Sequence, residues 1–214
     1  MLALVAVGGG ICLALTPAAG QTGEKPVKIV VLGDSLSAGY GLPANAAFPA
    51  KLGAALKAKG IAADVVNAGV SGDTASGGLG RVDWSVPDGT DAVIVELGAN
   101  DALRGIDPKV TEAALDGILK KLTDRRIAVL LAGMQSPPNM GADFARSFGD
   151  LYTTLAGKYP VVFYPFFLDG VAAQAKLNLP DGIHPNAEGI DVIVERIMPK
   201  VEELIARVRA ARAS

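Results

Sequence analysis

Residues that build covalent or metal-held scaffolds are scarce: 214 residues include one cysteine, Cys12, and one histidine, His184. No intrachain disulfide is possible, and one thiol with one imidazole cannot make a Cys/His zinc site. An excess of either charge is missing too, since 20 Lys and Arg face 22 Asp and Glu for a net charge of −2. With no basic stripe to neutralise phosphates, the chain is not expected to bind nucleic acid. Internal repeats and low-complexity tracts are absent. What is present is a chain 50% hydrophobic and 20% charged, a globular composition long enough to bury its own core.

Residues 1–20 carry no charged side chain and close on Thr16-Pro17-Ala18-Ala19-Gly20. An apolar stretch ending in small residues reads as a secretory signal cleaved near Ala19, although the basic start of such signals is missing. An uncleaved membrane anchor is the alternative, but the stretch is interrupted by glycines and barely long enough to span. Ile11 before Cys12 is not the small residue that lipid attachment requires. The expected organisation is a signal peptide over 1–20 and a single domain over 21–214.

From Val27 onward, short apolar runs at 27–32, 63–67, 92–97, 127–132 and 161–166 alternate with amphipathic stretches. The runs are rich in Val and Ile at consecutive positions, as strands buried on both faces must be. Leu115, Ile118, Leu119 and Leu122 repeat at helical spacing behind Pro108, a residue tolerated in a first turn. Phe48, Leu52, Ala55 and Leu56 line an earlier helix that Gly60 ends. The segment 190–208 is amphipathic, with Pro199 expected to kink or break it. Strand–helix alternation implies an α/β fold with a parallel sheet and helices on both faces. Ligands of such sheets gather beyond the carboxyl ends of the strands.

Polar residues collect at those ends. The first strand runs into Gly33-Asp34-Ser35-Leu36, the second into Asn67-Ala68-Gly69-Val70-Ser71-Gly72, and the third into Gly98-Ala99-Asn100-Asp101. The last loop holds Asp181-Gly182-Ile183-His184, with Pro180 and Pro185 on either side. Taken singly, each has a bland use. Ser35 would cap a helix, Gly72 would relax a loop, Asn100 would make a cap or turn, and His184 would sit on a surface turn. Taken together they supply what acyl transfer needs. Ser35 offers a hydroxyl. Asp181, three residues before His184, lies within reach of its imidazole and would leave Nε2 free to accept a serine proton. Asn100 and the backbone of Gly72 offer N–H groups to an oxyanion. Ser35 is not the nucleophile elbow of α/β-hydrolases, because Ser37 stands where that motif needs Gly.

These blocks, in this order, resemble the SGNH (GDSL-type) hydrolases. Leu32–Tyr40, Ser71-Gly72-Asp73-Thr74 and Glu96–Gly105 are closest to the bacterial thioesterase I group, whose members act on thioesters, lysophospholipids and aryl esters and are often periplasmic. The resemblance implies a three-layer α/β/α flavodoxin-like sandwich with strand order 2-1-3-4-5. It implies Ser35 as nucleophile, His184 as base and Asp181 as its orienter. The oxyanion hole would comprise the N–H groups of Ser35 and Gly72 and the side chain of Asn100. It implies no cofactor and no metal, a small acyl ester or lysolipid as substrate, no obligatory protein partner, and a periplasmic location. Asp34, Asp73 and Asp101 are expected to brace loops. Met134 and Phe144, in the stretch after the fourth strand, would line an acyl pocket or seat that loop on the core. Positive charge for coenzyme A phosphates is sparse, Arg104 being the nearest candidate, so simple esters and lysolipids are expected. Two alternatives stay open: a carbohydrate O-deacetylase with the same residues, and a non-catalytic flavodoxin-like binding module.

Overall fold

The computed structural model describes residues 25–214; the expected signal peptide over 1–20 lies outside the described residues. Strands β1 (Val27–Gly33), β2 (Ala63–Asn67), β3 (Ala92–Glu96), β4 (Ala128–Ala132) and β5 (Val162–Tyr164) make one parallel sheet in the order β2-β1-β3-β4-β5. The helices are α1 (Ser35–Ala38), α2 (Phe48–Ala58), α3 (Ala75–Ser85), α4 (Ala99–Leu103), α5 (Pro108–Asp124), α6 (Ala142–Lys158) and α7 (Ala187–Ala213). One helical layer contains α2 and α7, which pack on each other and on the sheet; α3, α5 and α6 pack in series as the other. This is the three-layer α/β/α sandwich and strand order that the motifs imply.

The local reasons are legible. Every residue of β3 is buried, and in β1 only Lys28 is exposed. Such strands must be apolar on both faces. β2 departs from the expectation, because Asp64, Val66 and Asn67 are exposed. It is an edge strand with β1 as its one neighbour, so it is not covered as the inner strands are. In α5, Asp107 caps the first turn by accepting from the Lys109 N–H at 2.9 Å, Pro108 follows it, and Leu115, Ile118, Leu119 and Leu122 are buried. Pro199 does not break α7, which runs on to Ala213. A helix-interior proline costs about 3 kcal/mol, but beyond it Val201, Leu204, Ile205 and Val208 are all buried. Their burial, at about 1.5–3 kcal/mol per large side chain, outweighs the lost hydrogen bond.

The chain leaves β1 for β2 on one side and continues to β3 on the other, so the order reverses at β1. The crevice at such a switch point lies beyond the strand ends. The loops after β1, β2 and β3 all open there. Among the described residues no helix is long and apolar enough to cross a membrane.

Candidate active site

Ser35 is the first residue of α1, where β1 ends. The cap of that helix is Asp34, whose Oδ1 accepts from the Leu36 N–H at 2.9 Å. The bland use of Ser35 is thereby taken by its neighbour, and its hydroxyl turns elsewhere. Ser35 Oγ lies 2.9 Å from His184 Nε2, and His184 Nδ1 lies 2.7 Å from Asp181 Oδ2. A ring nitrogen beside a carboxylate carries the proton, so Nδ1–H donates to Asp181 and Nε2 accepts from the Ser35 hydroxyl.

The Asp181–His184 turn holds this arrangement. Asp181 Oδ1 accepts from the backbone N–H groups of Ile183 and His184 at 2.9 and 3.0 Å. These two bonds, with the imidazole bond behind them, hold the Asp181 carboxyl down at about 2. It is therefore charged wherever an esterase would work. The Leu179 N–H donates to the His184 carbonyl at 2.7 Å, and Asn178 pairs with Pro185, which closes the loop. The Tyr40 ring lies over the imidazole, with centroids 4.4 Å apart, and its N–H donates to the Ser35 carbonyl at 3.2 Å. The sequence reading gave Tyr40 no task, since nothing local to it announces a stacking partner 144 residues away.

The remaining sequence-picked residues surround this chain of hydrogen bonds. Gly72 follows β2 with φ +85°, a left-handed conformation natural to glycine. Its carbonyl accepts from the Arg104 guanidinium at 2.9 Å, so that cation braces the loop. Asn100 is in the first turn of α4, but Gly98 occupies the cap position. The Asn100 amide instead donates to Asp34 Oδ2 at 3.1 Å. Asp73 accepts from Arg81 at 2.6 Å, and Asp101 accepts from the Ala75 N–H at 2.9 Å and the Thr111 hydroxyl at 3.0 Å. All three aspartates thus brace loops. Arg81 went unnoticed in the sequence. Its buried guanidinium also donates to the carbonyls of Ala68 and Gly33 at 2.7 and 2.8 Å, tying the loops after β1 and β2 to α3. Only folding brings those two carbonyls together.

Residues 31–192 match the GDSL-like lipase/acylhydrolase family. The chain belongs to that family. This acylhydrolase is 39% identical over 179 residues to an arylesterase of Vibrio mimicus, covering 83% of this chain and 88% of that one. It is 36% identical over 178 residues to the thioesterase 1/protease 1/lysophospholipase L1 of Escherichia coli, covering 83% and 84%. Among solved structures, the SGNH-hydrolase family esterase AlinE4 superposes with a TM-score of 0.72 at 44% identity, covering 84% of this chain and 97% of that one. The protein is an SGNH-type carboxylic ester hydrolase.

A cavity of about 390 Å³ in the acylhydrolase is lined by Leu36 and Ile183, the chain neighbours of Ser35 and His184. Leu36, Leu103, Met134, Phe166, Leu168 and Ile183 give it an apolar lining. Gln135, Ser136, Pro137 and Pro138 also reach it, so the first part of the stretch after β4 lines the pocket. Phe144 does not; it stacks on Phe148 at 5.8 Å and seats the start of α6. A larger groove of about 630 Å³ lies between α2 and α7. The Lys51–Asp191 and Lys59–Glu202 ion pairs edge it, and its lining holds no chain neighbour of Ser35 or His184, whereas Leu36 and Ile183 put the smaller cavity next to both.

Proposed function

We propose that Ser35, His184 and Asp181 hydrolyse acyl esters, and also acyl thioesters, through an acyl-enzyme. The observation that carries this reading is the unbroken hydrogen-bond chain from Ser35 Oγ to His184 Nε2 at 2.9 Å and from His184 Nδ1 to Asp181 at 2.7 Å. His184 Nε2 takes the Ser35 proton as Oγ bonds to the acyl carbon. The carbonyl π electrons move to oxygen, and the N–H groups of Ser35 and Gly72 and the amide of Asn100 receive the oxyanion. Asp181 holds the tautomer and stabilises the imidazolium. When the tetrahedral intermediate collapses, the bond to the leaving group breaks, and His184 gives its proton to the departing alkoxide, phenolate or thiolate. Water then attacks the acyl carbon as His184 takes its proton, and the second tetrahedral intermediate collapses with that proton passed to the departing Ser35 Oγ, releasing the carboxylic acid.

The apolar cavity supports an acyl chain as the group bound beside Ser35, because about 390 Å³ is in the range of small-ligand pockets and far exceeds an acetyl group. The names of the two relatives support aryl esters, lysophospholipids and thioesters as the classes to test. Export to the periplasm belongs to the same reading, supported by the uncharged apolar stretch at 1–20. The experiment is a p-nitrophenyl ester series of increasing chain length, run beside acetylated sugars. Rising kcat/KM from acetyl to medium chains is expected, with Met134→Trp shifting the preference to shorter acyl groups. Preference for acetylated sugars would replace this reading with a carbohydrate O-deacetylase.

A further inference from the structure

Beneath the nucleophile lies a carboxyl group to which the acyl-transfer reading assigns no task. Glu96, the last residue of β3, is completely buried, and its Oε1 has no hydrogen-bond partner. Its Oε2 lies a long 3.4 Å from the Asp34 N–H, and the hydroxyl and backbone N–H of Ser37 also face the carboxyl. Gly33 permits this closeness, since a Cβ there would overlap both the Ser37 hydroxyl and the Glu96 carboxyl. Asp34 is as deeply buried as Glu96. Among the described residues neither carboxyl has an ion-pair partner. Arg81 directs its donors to Asp73, Ser85 and the carbonyls of Gly33 and Ala68.

Two adjacent buried carboxyls without a cation cannot both be ionised at tolerable cost. Their donors decide where the charge goes. Asp34 has a donor on each oxygen, the Leu36 N–H at 2.9 Å and the Asn100 amide at 3.1 Å, whereas the donors of Glu96, the Asp34 N–H at 3.4 Å and the hydroxyl and N–H of Ser37, leave its Oε1 without a partner. We propose that the pair holds a single proton, kept on Glu96, and that the Asp34 carboxylate so preserved is the positioning residue that aims the Asn100 amide at the oxyanion. The second half rests on the reading of Asn100 as an oxyanion donor. An amide nitrogen carries two N–H bonds in one plane. With one fixed on a charged acceptor, the direction of the other is fixed as well, and a charged acceptor grips about twice as strongly as a neutral one.

The groups facing Asp34 are consistent with this assignment. Glu96 comes from β3, Asp101 from α4, the Tyr152 hydroxyl from α6, Arg81 from α3 and His184 from the last loop. Burial pushes the Asp34 carboxyl up to about 6, against the pull of its two donors and of His184. Burial, with the charge of Asp34 added, pushes Glu96 well above the carboxylate range. When His184 becomes imidazolium in turnover, it further favours charge on Asp34.

Infrared spectroscopy of the enzyme at pH 8 tests the proton directly. A protonated-carboxyl C=O stretch is expected, which moves on labelling glutamate with 13C and stays on labelling aspartate. It should vanish in Glu96→Gln. No such band, or one that follows aspartate labelling, would overturn the assignment, and the labelling arms need no variant. For the aiming role, Asp34→Asn should lower kcat at least roughly tenfold, with KM within about twofold, a loss smaller than removal of an oxyanion donor. Adding Asp34→Asn to Asn100→Ala should cost little more, because the two act through one contact. Additive losses would overturn the role. If Asn100→Ala leaves kcat unchanged, the oxyanion reading itself fails and takes the aiming role with it, while the infrared result still reports on the proton.

Discussion

The side-chain amide of Asn100 donates to Asp34 Oδ2 at 3.1 Å, joining the first turn of α4 to the cap of α1 across 66 positions of sequence. Asp34 therefore has two tasks: one oxygen caps the helix that begins with Ser35, and the other holds the amide that faces the same crevice. Removing Asn100 is the simplest probe of this arrangement. Asn100→Ala is expected to lower kcat by about 10²–10³ with little change in KM, the effect of losing one oxyanion donor. Steady-state kinetics on one activated ester checks it, and a change confined to KM would make Asn100 a substrate-binding group instead.

Ser35→Ala should abolish ester hydrolysis and leave the fold intact, since it removes a single oxygen from a cleft wall. An organophosphonate should label the wild type at Ser35, located by mass spectrometry of the digest. Modification of Ser37 or Ser71 in its place would contradict the assignment; Ser37 is fully buried.

The pH profile has a defined sign. His184 must be neutral to take the Ser35 proton, so kcat/KM should rise with pH. As the only histidine in the chain, it has no rival of its own type. Asp34, raised to about 6 by burial, gains its charge around that pH and adds to the same rise. Asp181, held at about 2, stays charged throughout. Asp181→Asn should cut kcat by about 10⁴, as in the serine proteases, by admitting the wrong tautomer. A variant retaining most of its activity would remove Asp181 from the reaction.

Glu96 should make stability fall as pH rises. Its carboxyl titrates near 4.3 when unfolded but well above that when buried. The unfolded state thus releases a proton that the folded state retains, and stability present below about pH 4.3 is lost as pH climbs toward the folded value. Glu96→Gln has no proton to retain. Its melting temperature relative to wild type should therefore increase as pH rises from about 4. A difference independent of pH would mean that Glu96 is ionised in the folded protein.

Arg81→Met should destabilise the protein by about 3–5 kcal/mol, because it leaves the largely buried Asp73 carboxylate without its partner. The Ala68 and Gly33 carbonyls lose their guanidinium donors in the same step. Denaturant unfolding measures the loss. A change under about 1 kcal/mol would mean that the loops after β1 and β2 hold their places without the clamp.

Much of this protein is readable residue by residue, because the relevant physics is local. Two-face burial makes β1 and β3 apolar runs apart from exposed Lys28 and buried Glu96, and helical spacing marks the buried face of α5. The blocks around Ser35, Gly72, Asn100 and His184 name their chemistry by residue type and strand-end position. The carboxylate three residues before His184 is a local relation as well, since one turn brings it to the imidazole. Other properties depend on neighbours that are distant in sequence. The exposure of β2 follows from its place at the sheet edge, and the persistence of α7 past Pro199 follows from the core beneath its last turns. Arg81 gains its role when the ends of β1 and β2 converge, and Tyr40 gains its own when His184 folds over the crevice. The state of Glu96 is decided in the same way. A glutamate ending a strand is ordinarily a solvated anion; packed under Gly33 beside Asp34, it is shielded from solvent and, among the described residues, has no ion-pair partner, so its charge depends on solvation and on donors that no local pattern records.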